Sequence, residues 1–168
     1  MYRISAAIAA GLVILLVAYF FLYLPTQNTQ TLANTYYQQH LQQLSQTMDG
    51  ENDPLQAGIA AYNNQDYKQA LQYFQAVHRR QPNNPEAQKN IGLVYLATKE
   101  YGPALQQFES LAARKDLFSN PGRFLQALAL MQRNGEGDKQ QAQALLQQVV
   151  REKAEGSRQA AEWLQKFK

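Results

Sequence analysis

Hydrophobic and small residues recur at a fixed spacing through the middle of the chain. Glycine, tyrosine, alanine, leucine and phenylalanine follow one another twice in the same order, about 34 residues apart. That period is the length of one helix–turn–helix unit, so it predicts stacked helical pairs. The first copy is Gly58, Tyr67, Ala70, Leu71 and Phe74, and the second is Gly92, Tyr101, Ala104, Leu105 and Phe108.

Apolar positions at helical spacing place the individual helices. The first unit is predicted as helices 54–64 and 67–80, and the second as helices 85–98 and 101–114. In both units a glycine on the first helix, Gly58 or Gly92, would let the second helix approach closely. We expect Phe74 or Phe108 to fill the space beside it.

A third unit is less regular. It is predicted as a helix at 123–133 and a second helix starting at Asp138, with an enlarged turn at Asn134 to Gly137. A short amphipathic helix at 157–167, with Ala160, Ala161, Leu164 and Phe167 on its apolar side, would cover the last exposed face. The predicted fold class is therefore all-α: an α-solenoid of about three helical hairpins over residues 54–168, with a C-terminal capping helix.

The chain opens with an uncharged apolar run at residues 4–24. At about 1.5 Å per residue it would span about 31 Å, close to the hydrocarbon thickness of a bilayer. No small-x-small cleavage site follows it, which favours an uncleaved transmembrane anchor over a signal peptide. Because Arg3 precedes the run and no Lys or Arg follows before Lys68, the positive-inside rule predicts a cytoplasmic N-terminus.

Residues 25–53 are predicted to connect the anchor to the repeats. A polar spacer leads into a glutamine-rich amphipathic helix with one apolar stripe, formed by Tyr37, Leu41, Leu44 and Met48. The acidic residues up to Asp53 alternate as in a calcium loop, but Pro54 stands where that loop requires glycine. A helix end and linker is the better interpretation.

The order of the repeated residues resembles the tetratricopeptide repeat family. The family's glycine, aromatic, alanine, phenylalanine and proline correspond to Gly58, Tyr62, Ala70, Phe74 and Pro82, and in the second unit to Gly92, Tyr95, Ala104 and Phe108. Asp116 stands where the second unit would carry its proline. The resemblance implies a non-enzymatic interaction module whose first helices line a groove for protein partners.

On that register the groove is lined mainly by apolar side chains. Because Ile59 and Leu93 occupy the positions at which some members clamp a peptide carboxylate with asparagine, we expect an apolar peptide or helix as the guest. Two alternatives stay open. The segment around residues 33–48 could fill the groove itself, or the groove positions could simply belong to the hydrophobic core. The groove positions are Leu55, Ile59, Tyr62, Lys89, Leu93, Leu96, Phe124, Leu128 and Met131.

Composition excludes several other functions. The chain carries 16 Lys and Arg against 13 Asp and Glu, without the basic stripe that nucleic-acid binding needs. It has no cysteine, and its two histidines, His40 and His78, lack a paired-ligand spacing. We therefore expect no enzymatic activity, no cofactor, no metal, no nucleic acid and no small-molecule substrate.

Together these features predict a membrane-anchored scaffold or adaptor that acts through protein–protein interactions at the bacterial envelope. The predicted localisation is a single-pass inner-membrane protein, held by residues 4–24, with its C-terminal domain in the periplasm. An accessory subunit of a stable membrane complex and a cytosol-facing organelle import receptor are the alternatives.

Overall fold

The computed structural model describes residues 28–46 and 53–167, and every regular element in that part of the chain is an α-helix. Eight helices follow one another in it. They are α1 (Thr29–His40), α2 (Pro54–Asn63), α3 (Tyr67–Arg80), α4 (Pro85–Ala97), α5 (Tyr101–Ala112), α6 (Gly122–Arg133), α7 (Asp138–Arg151) and α8 (Ser157–Leu164).

From α2 onwards each helix packs against the next one in the chain. The hairpins α2–α3, α4–α5 and α6–α7 therefore stack in sequence order, and α8 closes the stack against α7. This is the arrangement expected of a solenoid, in which each unit buries its apolar face on its neighbours. The all-α prediction is confirmed for the described residues.

Within each of the first two hairpins, the two helices approach each other closely at a glycine. A Cβ atom built on Gly58 would lie 2.6 Å from Cε1 of Phe74, and one built on Gly92 would overlap the ring of Phe108 in the same way. Both phenylalanine side chains are fully buried. The glycines thus make the room that these rings fill, as the repeated pattern predicts.

Side-chain caps set the start of several helices. Asp53 accepts a hydrogen bond from the Leu55 amide, Asp66 from Gln69, and Asn84 from Ala87. These bonds satisfy amides that have no partner within the helix. Asp53 is therefore a helix cap, which agrees with a helix boundary at this position, whereas residues 47–52 of the acidic stretch lie outside the described residues.

The third hairpin is joined to the second through Gly122. A Cβ atom at this position would overlap the backbone of Ala112 and the carbonyl oxygen of Phe108, so only glycine lets α6 lie this close to α5. The enlarged turn is closed by Asp138, whose side chain is almost fully buried and accepts hydrogen bonds from Arg133 and from the Gly135 amide.

The capping helix α8 buries a different set of residues from the predicted stripe. Ala160 and Trp163 are buried, whereas Ala161, Leu164 and Phe167 are half-buried. Residue 163 lies three positions after Ala160 and so shares its face of the helix. Trp163 is thus the main apolar contribution of α8 to the core.

The N-terminal segment, defined here as residues 28–46, also differs from its prediction. Its helix starts at Thr29, inside the predicted polar spacer, where the Asn28 side chain accepts a hydrogen bond from the Gln30 amide. It ends at His40, so Leu44 lies beyond the helix rather than on its stripe. Met48 lies outside the described residues.

The predicted anchor at residues 4–24 also lies outside the described residues. Within residues 28–46 and 53–167, no helix is both long enough and apolar enough to cross a membrane. The predicted localisation, a single-pass inner-membrane protein with a periplasmic C-terminal domain, is therefore corrected: the structure does not support it.

Candidate protein-binding site

The N-terminal segment lies against the first helices of the hairpins. Helix α1 packs on α6, and the Gln30 side chain donates a hydrogen bond of 2.8 Å to the carbonyl oxygen of Gln132 at the end of that helix. The small side chain of Ala33 is completely buried. Contact at Ala33 lets α1 lie close to the stack along its first turns.

An aromatic cluster forms next to this contact. The ring of Tyr36 lies edge-on to Phe124 of α6 at 5.2 Å and to Trp163 of α8 at 5.4 Å. Phe124 and Trp163 stack on each other at 5.2 Å. Edge-to-face and offset-stacked pairs at these distances are favourable beyond the area that they bury. One tyrosine of α1 therefore touches both the third hairpin and the capping helix.

Gly156 makes the space in which the aromatic cluster forms. Its φ angle is +85°, and a Cβ atom there would lie 2.6 Å from Cγ of Phe124. Any other residue would both strain the backbone and collide with the ring. The turn before α8 is thus shaped to place Trp163 against Phe124.

Tyr62 anchors the other end of the segment. Its hydroxyl group donates a hydrogen bond of 2.8 Å to the carbonyl oxygen of Leu41 and lies 3.0 Å from the hydroxyl oxygen of Tyr37. Because the single hydroxyl proton of Tyr62 is used by Leu41, Tyr37 must be the donor in the second bond. Both bonds join α2 to the end of α1.

Burial raises the phenolic pKa values at this contact. The pKa of Tyr37 is raised to about 12 by desolvation, because the hydrogen bond to Tyr62 lowers the pKa by less than desolvation raises it. The pKa of Tyr62 is raised further, by desolvation first and then by the neighbouring Tyr37. Both phenols are therefore neutral hydrogen-bonding groups at physiological pH.

A third contact explains where α1 ends. The Asn63 side chain accepts a hydrogen bond of 2.7 Å from the Leu44 amide and donates one of 2.9 Å to the Leu44 carbonyl oxygen. Together with the Leu41 carbonyl held by Tyr62, these bonds satisfy backbone groups that a longer helix would have used itself. The chain leaves the helix because α2 offers these partners.

A cavity of about 260 Å³ remains between the segment and the hairpins. Asn90 lies on its wall with 2% of its surface exposed. Lys89 and Glu86 form an ion pair of 2.6 Å in the same wall. The apolar part of the lining includes Leu41, Leu44, Ile59, Leu93, Phe124 and Leu125.

The predicted groove positions divide into three groups. Ile59, Lys89, Leu93 and Phe124 line this cavity, and Tyr62 bonds directly to the segment. Leu96, Leu128 and Met131 are buried core residues with at most 2% of their surface exposed. Leu55 lines a separate hollow beside Val77 and Arg80. Binding of an external guest at these nine positions stays a prediction.

Several residues at this site were not predicted from the sequence. Ala33, Tyr36 and Asn63 hold the segment in place, and Trp163 completes the aromatic cluster. The helical spacing of Trp163 from Ala160 was a usable signal. Asn63 gave none, because a polar residue at a helix end is common and its partner, Leu44, is distant in the chain.

The two histidines lie in different parts of the structure. The ring of His40 lies 4.6 Å from that of Tyr36 and is tilted by 42° to it, whereas His78 lies in another recess beside Gln88 and Arg114. Across residues 28–46 and 53–167, no group of three or more acidic or histidine side chains could hold a metal ion. The polar groups gathered at the segment suit hydrogen bonding to a peptide backbone.

Residues 55–119 match the family model described as a tetratricopeptide repeat. The match covers the first two hairpins and the loop after α5, so it supports the resemblance seen in the repeated residues. No curated protein and no solved structure matches the chain. Tetratricopeptide repeats generally form non-enzymatic modules for protein–protein interaction, and this function is indicated for the matched hairpins.

Proposed function

We propose that this chain is a non-enzymatic scaffold or adaptor that binds a protein partner along the first helices of its hairpins. We call this surface the groove and define it by Ile59, Tyr62, Lys89, Leu93 and Phe124. The observation that carries the proposal is that residues 28–46, a helix and the irregular segment that follows it, lie against the groove.

The chemistry of the groove suits a peptide guest. Ile59, Leu93 and Phe124 offer apolar surface, while Tyr62 and the neighbouring Asn63 offer hydrogen bonds to backbone groups. Apolar contacts supply most of the free energy of such binding, and the polar contacts fix the register of the guest. A guest held in this way is an amphipathic helix or an extended peptide.

Site-directed photo-crosslinking in the cells that produce the protein tests this proposal. A photoreactive amino acid would replace Lys89, at the cavity wall, or Gln106, on the exposed side of α5. We expect a protein identified by mass spectrometry to crosslink from position 89 and to form a complex with the purified chain. Lys89→Glu should then weaken the purified complex, while Gln106→Glu should leave it unchanged.

The opposite result is equally clear. A partner that crosslinks only from position 106, and whose purified complex is insensitive to Lys89→Glu, would place the binding surface on the second helices of the hairpins. The groove would then not be the binding surface.

A further inference from the structure

We propose that the N-terminal segment is an internal occupant of the groove, and that the partner displaces it with an uncharged amphipathic helix of the same pattern. This inference rests on the proposed function and names the partner's chemistry and the regulation of its site. The pattern is a small residue, as at Ala33, followed at the third and fourth positions by aromatic residues, as at Tyr36 and Tyr37.

The contacts of the segment are specific but few, which suits an occupant that can leave. Only Thr29 and Ala33 of α1 are buried, whereas Tyr36 and Tyr37 of α1, and Leu41 just beyond its end, are half-buried. A helix of 12 residues is marginal in water without tertiary contacts. The free energy of docking is therefore partly offset by the cost of forming the helix, and a pre-formed partner helix avoids part of that cost.

The composition of the segment also indicates the charge of the partner's helix. Residues 28–46 contain no Asp, Glu, Lys or Arg, and their three polar attachments are neutral hydrogen bonds to Gln132, Tyr62 and Asn63. Of the charged side chains in the cavity wall, Lys89 and Glu86 pair with each other, and Glu155 accepts a hydrogen bond from Ser119. A guest that uses the same attachments needs no charge, so its affinity should depend little on salt.

Matched variants of the full chain test the inference. Ala33→Glu places a charge in the completely buried contact, and Asn34→Glu places the same charge on the exposed side of α1. The probe is a fluorescein-labelled peptide with the sequence of residues 28–46, measured by fluorescence anisotropy. Because a tethered segment competes at a high effective concentration, we expect A33E to bind the peptide at least about tenfold more tightly than N34E.

The only tryptophan of the chain gives an independent signal. Trp163 contacts Tyr36, so release of α1 in A33E should shift its fluorescence to longer wavelength, and added peptide should reverse the shift. The N34E chain should keep the wild-type spectrum. A labelled peptide that itself carries Ala33→Glu should not bind either chain.

A second variant covers the case in which A33E does not fold. Y36A/Y37F removes the aromatic contact and the hydroxyl bond without placing a charge in the interface, and it should show the same gain in peptide affinity. Equal peptide affinity in the released and N34E chains, with an unshifted Trp163 spectrum, would overturn the inference. So would a wild-type dimer in which each copy's segment fills the other's groove.

Failure of this inference is distinguishable from failure of the proposed function. Equal peptide binding by the released and N34E chains refutes only the internal occupant, since a partner could still crosslink from position 89. Absence of groove crosslinks, with tight peptide binding by A33E, refutes the proposed function and with it the displacement by a partner, and leaves only the internal occupant.

Discussion

At the residue scale, single hydroxyl and carboxyl groups hold particular parts of the structure in place. The Tyr62 hydroxyl group serves two partners, the Leu41 carbonyl and the Tyr37 hydroxyl, and both lie in the N-terminal segment. Tyr62→Phe leaves the ring in the core but removes both bonds. We expect a loss of about 1–2 kcal/mol in the free energy of unfolding, because a half-buried carbonyl group loses its partner. Urea denaturation followed by circular dichroism measures it.

Tyr37→Phe is the matched control for that variant. It removes one of the two bonds and leaves Tyr62 free to donate to Leu41. Its cost should therefore be smaller, and the double variant should cost no more than Tyr62→Phe alone beyond experimental error. Fully additive costs would show that the two hydroxyl groups do not interact in solution.

A buried carboxylate holds the turn of the third hairpin. Asp138 is 1% exposed, and hydrogen bonds from Arg133 first, and then from the Gly135 amide, hold its pKa below the usual range. Asp138→Asn should cost about 2 kcal/mol at neutral pH, because charge-assisted bonds are replaced by neutral ones. Thermal unfolding measured against pH tests this.

The pH dependence has a definite sign. Since the pKa of Asp138 is lowered by folding, its contribution is fully present above about pH 4 and is lost as pH falls through the folded-state pKa. The difference between wild type and Asp138→Asn should therefore shrink in acid. Asp116→Asn, which alters an exposed ion pair with Arg114, should leave the unfolding midpoint nearly unchanged at neutral pH. A difference at position 138 that stays constant in acid would contradict the assignment.

Glycines determine how closely the elements can pack. Gly92→Ala would drive a methyl group into the buried ring of Phe108, and overpacking of this kind costs about 1–3 kcal/mol. Gly102→Ala in α5 meets no atom within 4 Å. Because it precedes Pro103, its gain in helix propensity is offset, and a change below about 0.5 kcal/mol is expected. Comparable destabilisation of both variants in urea denaturation would show that the Gly92 contact does not limit packing.

The contrast between repeats and ends shows what the sequence of an element can predict. Helix α3 starts and ends at the predicted residues, Tyr67 and Arg80, because local signals such as the Asp66 cap agree with its apolar period. The predicted end of α1 was wrong, because bonds from Tyr62 and Asn63 compete for its backbone. Such long-range competition leaves no periodic signal in the sequence.

The candidate site was predictable only in part for a related physical reason. The repeat register assigns Ile59 and Leu93 to the groove, and both line the cavity beside the N-terminal segment. It cannot distinguish a groove residue from a core residue on the same helix, as Leu96 and Leu128 show by their near-complete burial. The distinction depends on which neighbouring helix covers each position.

At the scale of the whole molecule, the N-terminal segment connects elements that a simple repeat stack would leave apart. It bonds to Tyr62 and Asn63 in the first hairpin and contacts Phe124 and Trp163 at the far end. Repeat stacks otherwise interact only between neighbours, so their ends can unfold separately. The segment should make the first hairpin and the capping helix unfold together.

This coupling gives a prediction for equilibrium unfolding. In wild type, Trp163 fluorescence reports the capping end and far-UV circular dichroism reports all helices, and we expect the two urea transitions to coincide. In Ala33→Glu the segment no longer joins the ends, so the Trp163 transition should move to lower urea than the helical one. Asn34→Glu should keep the transitions together. Coincident transitions in both variants would show that contacts between neighbouring hairpins alone make the stack cooperative.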